Sequence, residues 1–238
     1  MSVREPHGNS VDDVTIRRYR SADRDQIREI ACQTASHRDA MESVFGDPAV
    51  MADLLTRYYT DFEPESLWVA EAGSVVIGYL SGCLRSVWRR RRMARTVFPQ
   101  AVWRALRRGA LGRRETWRLV QSILKTFGIG EGRRMKPILT RYPAHLHINL
   151  RPGGRGQGVG RALVERFEDQ VREADVPGVH ARVHAANDGA RSFFESLGYR
   201  SVNRYPWYLA QNGQMIRQET IIYAKRLSES GPPSAPPS

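Results

Sequence analysis

The alternation of apolar and polar residues begins at VTIRRY, Val14 to Tyr19, and predicts a strand. Beyond Ser21 or Asp23, either of which suits a helix cap, Ile27, Ile30 and Ala31 recur at helical spacing and predict a helix to about Ala35. A second helix is expected from Pro48 to Tyr59, with Leu54, Leu55 and Tyr58 on one face. LWVAE and SVVIGYLSG read as two strands joined near Ala72-Gly73, with Gly78 marking a bulge or a close backbone approach. HLHINL, His145 to Leu150, predicts a central strand with His145, His147 and Asn149 on one face and Leu146, Ile148 and Leu150 on the other. A long helix is expected over about Gly156 to Ala174, a strand over Val179 to Ala185, and a short helix from Asn187 or Asp188 that ends before Gly198. Tyr199 to Tyr205 and Met215 to Leu227 complete the pattern as an antiparallel pair around AQNG.

Between the third and fourth strands the pattern changes. In residues 85–136, Val102, Trp103, Leu106 and Ala110, then Trp117, Val120, Leu124 and Phe127, fall at helical spacing among arginines. Two short amphipathic helices with arginine-rich outer faces are expected, the second ended by Gly128, Gly130 and Gly132. The chain of 238 residues carries a net charge of +12, yet Arg85 to Arg118 alone holds 12 arginines against one acid, Glu115. The excess charge is therefore local to this segment.

Two cysteines make no disulfide framework, which suits a reducing cytoplasm. MSVREPHGNSVDD lacks the apolar stretch of a signal peptide, and no apolar run reaches bilayer length. The organisation expected is a loose arm (1–13), one domain (14–227) interrupted by the basic insert (85–136), and a disordered Pro/Ser-rich tail (228–238).

Candidate chemistry centres on RPGGRGQGVG, Arg151 to Gly160. A strand, a glycine-rich turn and a helix N-terminus make an anion site, because the first-turn N–H groups lack intrahelical acceptors and the helix dipole favours negative charge there. No Lys-Ser/Thr pair follows, which excludes a P-loop, and the glycine spacing does not match a dinucleotide loop.

Arg155-Gly156-Gln157-Gly158-Val159-Gly160 resembles the R/Q-x-x-G-x-G/A signature of the GCN5-related N-acetyltransferases, the GNAT superfamily. Asn187 to Tyr199, NDGARSFFESLGY, is similar to the same family's N-x-x-A-x-x-x-Y/F-x-x-x-G-F/Y segment. LHINL and GVHARVHAANDGARSFFESLGY also resemble bacterial acetyltransferases similar to the acetyltransferase-like domain joined to protein O-GlcNAc hydrolases. The resemblance covers about 14–84 and 137–227. It implies the α/β acyl-CoA N-acyltransferase fold: a mixed, mostly antiparallel sheet of about seven strands, the fourth and fifth splayed, here with the helical insert between the third and fourth.

It further implies acetyl-CoA as acyl donor, its pyrophosphate on Arg155, Gly156, Gln157, Gly158, Val159, Gly160 and Arg161. Pantetheine would lie along Ile148, Asn149 and Leu150, with Asn187 beside it and Phe194 toward the sulfur. The reaction implied is direct attack of a primary amine on the thioester, with the Leu150 amide or its neighbour stabilising the oxyanion. Phe194 stands where the family often has a tyrosine that protonates the leaving thiolate; phenylalanine has no proton to give. Tyr199 and Tyr205 read as packed strand residues. His145, His147 and His184 are candidate bases, with His147, Asn149, His184 and Leu150 taken as the catalytic group. Glu71 and Glu219 are remote alternatives through water. The histidine spacing lacks any zinc pattern, so no metal is expected.

Three readings of the insert stay open: a lid over the acceptor cleft, a contact with an anionic membrane or another subunit through residues 85–127, and a nucleic-acid surface. The last is disfavoured because no nucleic-acid motif is present. The function expected is N-acetyl transfer to a small-molecule or peptide amine, anionic or not, by a cytoplasmic protein that is monomeric or a homodimer. The alternatives are a CoA-binding protein without turnover, or a protein lysine acetyltransferase whose insert contacts its partner.

Overall fold

The computed structural model describes residues 14–35, 48–107, 117, 121, 131–211 and 214–228. Seven strands form one sheet in the order β1-β2-β3-β4-β5-β7-β6. They are β1 (Val14–Arg18), β2 (Leu67–Ala72), β3 (Val75–Cys83), β4 (Ala144–Leu150), β5 (Gly178–His184), β6 (Arg200–Gln211) and β7 (Gln214–Arg226). All neighbours are antiparallel except β4 and β5.

Helices cover both faces. On one, α1 (Arg24–Thr34) and α2 (Pro48–Asp61) bury Ile27, Ile30, Ala31, Tyr58 and Tyr59 against Val69, Val76, Tyr79 and Cys83. The other face takes α6 (Val159–Glu173) and α7 (Asp188–Ser196). There Leu163, Val164, Phe167, Val171 and Phe194 pack on Leu80, Leu146, Val179, Ala181, Ile221 and Tyr223. Each fully buried side chain of this kind contributes about 1.5–3 kcal/mol.

Gly78 answers both expectations at once. The β2–β3 register shifts at Ala70/Glu71, so Val76 and Tyr79 face the same core despite their odd spacing. A Cβ at Gly78 would also lie 2.2 Å from the Leu150 side chain, so only glycine lets β3 and β4 approach here.

The insert departs from its expected form. Ser86–Arg92 (α3), a π-helical turn Met93–Val97 and Phe98–Arg107 (α4) follow one another as a single helical run. Among its described side chains, Ser86 and Val97 are buried. Of the expected apolar stripe, Trp103 is 61% exposed and Val102 54%, and Trp88 before it is 66% exposed, while Ala110 lies outside the described residues. The second expected helix lies outside the described residues except for helical Trp117 and Gln121. Gly132 does not end a helix; it lies within α5 (Glu131–Arg141). Met135 and Ile138 of α5 are buried against Tyr205 and Ile222, and this packing outweighs the poor helix propensity of Gly132 and Pro137.

Candidate functional site

The site starts where two parallel strands part. β4 pairs with β3 from Cys83↔His145 to Gly78↔Leu150. With β5 it pairs only at Ala144–Leu146 against Val179–Ala181. β5 remains paired with β7 out to His184↔Thr220. Residues 147–150 therefore line a gap between β4 and β5. Arg151 N–H donates to the Ile77 carbonyl on β3 at 2.8 Å. Period-two alternation then turns the N–H groups of Ile148 and Leu150 toward the gap. Backbone groups at such an edge demand a partner.

The glycine loop stands at the open end of that gap. Pro152–Gly154 makes a 3-10 turn, and α6 starts at Val159. Gly156 and Gly158 have φ of 76° and 77°, a backbone region costly for any residue with a Cβ. Ala162 N–H donates to the Gly158 carbonyl at 3.0 Å, the first bond of the helix. The N–H groups of Val159, Gly160 and Arg161 precede it and point out of the helix end. A Cβ at Gly160 would meet the Phe193 ring at 3.2 Å and Leu150 at 3.4 Å, so this glycine brings α6, α7 and β4 together. Arg155 is exposed beside this end. These residues fit a phosphate-bearing ligand with an extended arm: helix-end donors for the phosphate, and a strand edge for an amide-containing chain.

Asn187 caps α7, its Oδ1 accepting from Ala190 N–H at 3.0 Å. Phe194 is 4% exposed, with its ring against Phe193, Tyr199 and Tyr223. Tyr199 and Tyr205 are buried, as expected of packed strand residues.

The three histidines separate clearly. His184 has both nitrogens engaged: Nδ1 accepts from Ala186 N–H at 3.3 Å and Nε2 lies 2.8 Å from Gln218 Oε1. His145 is buried, its Nδ1 without a partner, and its ring sits 5.2 Å from that of His180. His147 is exposed to solvent at the point where β4 parts from β5. Desolvation first, then the charge of Arg89, lowers its pKa below the ordinary imidazole value. A neutral, accessible imidazole results. Of the remote alternatives, Glu71 is held by Arg17 at 2.8 Å on β1–β2, and Glu219 pairs with Arg204 at 3.1 Å.

The sequence pattern concealed what faces His147. Ser81 and Tyr79 stand opposite His147 and Asn149 in register. Asn149 Nδ2 donates to the Tyr79 hydroxyl at 2.7 Å, and the Ser81 hydroxyl donates to the His147 carbonyl at 3.3 Å. Period-two reading of SVVIGYLSGC against HLHINL would have found this row, had the pairing been known. A surface depression of about 330 Å³ lies elsewhere, walled by Arg18, Trp68, Arg166 and Gln170. Its polar groups satisfy one another: Arg18 and the Trp68 indole both donate to Gln170 Oε1, at 2.8 and 3.0 Å.

Residues 133–199 match the model of the acetyltransferase (GNAT) family. The chain is 32% identical over 83 residues to the [ribosomal protein bS18]-alanine N-acetyltransferase of Escherichia coli K12, covering 34% of this chain and 54% of that enzyme. It thus spans about half the length of the curated relatives it matches. Among solved structures, SsHAT superposes with a TM-score of 0.64 at 24% identity, over 91% of this chain and all of that one (100%). Salmonella typhimurium YncA, solved with its cofactor acetyl-CoA, gives 0.55 at 18% identity over 94% and 99% of the two chains. The architecture is the acyl-CoA N-acyltransferase fold, with its seven-stranded sheet and parted parallel strands.

Proposed function

From a chain with the fold of the GNAT superfamily and a match to its family model over residues 133–199, we propose an N-acetyltransferase that moves the acetyl group of acetyl-CoA to a primary amine of a small molecule or peptide. The observation that carries this reading is the parting of β4 and β5 directly before a helix N-terminus with outward N–H groups. Acetyl-CoA supplies an activated acetyl thioester. The amides of Gln157, Gly158, Val159, Gly160 and Arg161, with Gly156 making the turn and Arg155 beside them, hold the pyrophosphate. Ile148, Asn149 and Leu150 align the pantetheine, near Asn187 and on the side of Phe194. The Leu150 N–H donates to the oxyanion in this reading, since strand alternation turns it toward the gap. His147 is the base: neutral, accessible and on the strand that orients the thioester. His184 serves as a hydrogen-bonded support because its nitrogens are already used.

The working unit is one domain, 14–227, with the insert 85–136 at the acceptor side, in the cytoplasm. Among the described residues no helix is long and apolar enough to cross a membrane. The exposed aromatics of the arginine-rich run favour a bilayer contact, or one with a second subunit, over a solvated surface.

A second reading, a CoA-binding protein without turnover, draws on Phe194, which cannot protonate a leaving thiolate. Thiol release in a broad primary-amine screen, beside calorimetric binding of acetyl-CoA, separates the two. Transfer requires acceptor-dependent thiol release. Binding without release from any amine would favour the second reading, and absence of binding would end both.

A further inference from the structure

Among the described arginine side chains of residues 85–107, Arg89 is the one that is not fully exposed. It lies one turn beyond Ser86, whose hydroxyl sits 3.7 Å from Cys83 Sγ. Arg89 is half-buried, while Arg90, Arg91 and Arg92 are exposed. Its guanidinium also reaches Cys83, with Tyr59 and Tyr58 nearby. Cys83 pairs in register with His145, and Ser81 pairs with His147, so Arg89 stands above the row that leads to the parting of β4 and β5. The Arg89 charge is felt at both His145 and His147.

Among the described residues no carboxylate pairs with Arg89, and its buried Nε has no hydrogen-bond partner. The nearby groups are neutral at pH 7: burial pushes Tyr59 up to about 12 and Cys83 up to about 11. Glu63, half-buried, is committed to the Tyr58 hydroxyl, the Ser66 hydroxyl and the Leu84 N–H. A half-buried guanidinium without a counter-charge is costly, and a planar monoanion satisfies its fork while cancelling one charge. A phosphate dianion would leave excess negative charge among neutral phenols and imidazoles.

We infer that Arg89 is the acceptor-recognition residue, pairing with a carboxylate carried by the amine that this protein acetylates. The carboxylate belongs either to a free amino acid or to an acidic side chain of a peptide. This assignment rests on the acetyl-transfer reading for its acceptor and on the cleft alone for its anion. After desolvation, the Arg89 charge is the second influence that holds His147 toward its neutral form. Pairing Arg89 then raises the affinity of His147 for the proton it must take up.

The test uses the full chain, wild type and R89Q, with R89K to keep the charge and exposed R90Q as control. Matched acceptors are compared by kcat/KM: amino acids against their carboxamides, and acidic peptides against their glutamine counterparts. The wild type should prefer the carboxylate member by about ten- to a hundred-fold, R89Q should lose that preference, and R89K should retain part of it. Affinity for acetyl-CoA should be the same in all four proteins. Equal loss for both members of each pair in R89Q, or a wild-type preference for the carboxamide, overturns the assignment. The second readout needs no turnover: NMR titration of His147, with sodium acetate or sodium chloride at equal ionic strength. Acetate should raise the His147 pKa in the wild type and not in R89Q, which should itself start higher. No acetate effect in the wild type also overturns the assignment. An acetate effect without acetylation of any amine would support the carboxylate site and remove the transfer reading.

Discussion

His147 and His184 show how neighbours sort two similar residues. His184 is locked between a backbone N–H and Gln218, whereas His147 is open to solvent and neutral. H147Q should lower kcat by about 10²- to 10⁴-fold and remove the acidic limb from the pH profile. In the wild type that limb should fall below the ordinary imidazole value, because the His147 pKa is lowered. A limb at or above pH 7, or full activity in H147Q, would exclude His147 as base. Phe194 makes the opposite point. Its ring is packed among Phe193, Tyr199 and Tyr223, so F194Y would bury a hydroxyl in an apolar cluster. The expected result is a loss of about 1–3 kcal/mol in urea unfolding with no rise in kcat. A gain in kcat would show that the position reaches the leaving group.

At the scale of elements, the strands, α1 and α7 were legible in the sequence because short-range periodicity determined them: Ile27, Ile30 and Ala31 are the buried face of α1, as their spacing requires. The glycine loop was legible because positive φ at Gly156 and Gly158 needs that residue type. The row Tyr79–Ser81 opposite Asn149–His147 was not, since it depends on strand pairing across the insert. α5 was hidden for a related reason: Gly132 and Pro137 argue against a helix, and only contacts with Tyr205 and Ile222 reverse that. The facing of the run from Ser86 to Arg107 was not legible, because periodicity finds an apolar stripe without saying which way it faces. Its exposed Trp88 and Trp103 among arginines should bring the protein to vesicles containing anionic lipid. Flotation with phosphatidylglycerol vesicles should recover the wild type and much less of W88A/W103A. Equal recovery of both, or none of the wild type, would assign the face to another role.

For the whole molecule, acid sensitivity follows from two buried histidines that the fold keeps neutral. Burial lowers His180 to about 4 and lowers His145. The unfolded chain binds these protons near pH 6.5 while the native state refuses them. Stability is therefore complete above pH 6.5 and declines as pH falls toward the native values. His180 alone, 2% exposed, should cost on the order of 2 kcal/mol between pH 7.5 and pH 5. Glu63, whose pKa burial raises, works in the opposite direction lower in the scale. Urea unfolding at the two pH values checks this, and H180N should shrink the difference. Equal stability at both would contradict the buried neutral histidines.

Everything functional rests on the helix end and the parted strands holding acetyl-CoA. Calorimetric titration of acetyl-CoA into the wild type and G158V tests that most directly, since a β-branched residue cannot hold the φ of 77° found at Gly158 without strain. One molecule bound per chain, weakened about tenfold or more in G158V with the fold intact, is the expected result. No binding to the wild type, or equal binding by G158V, would contradict the account.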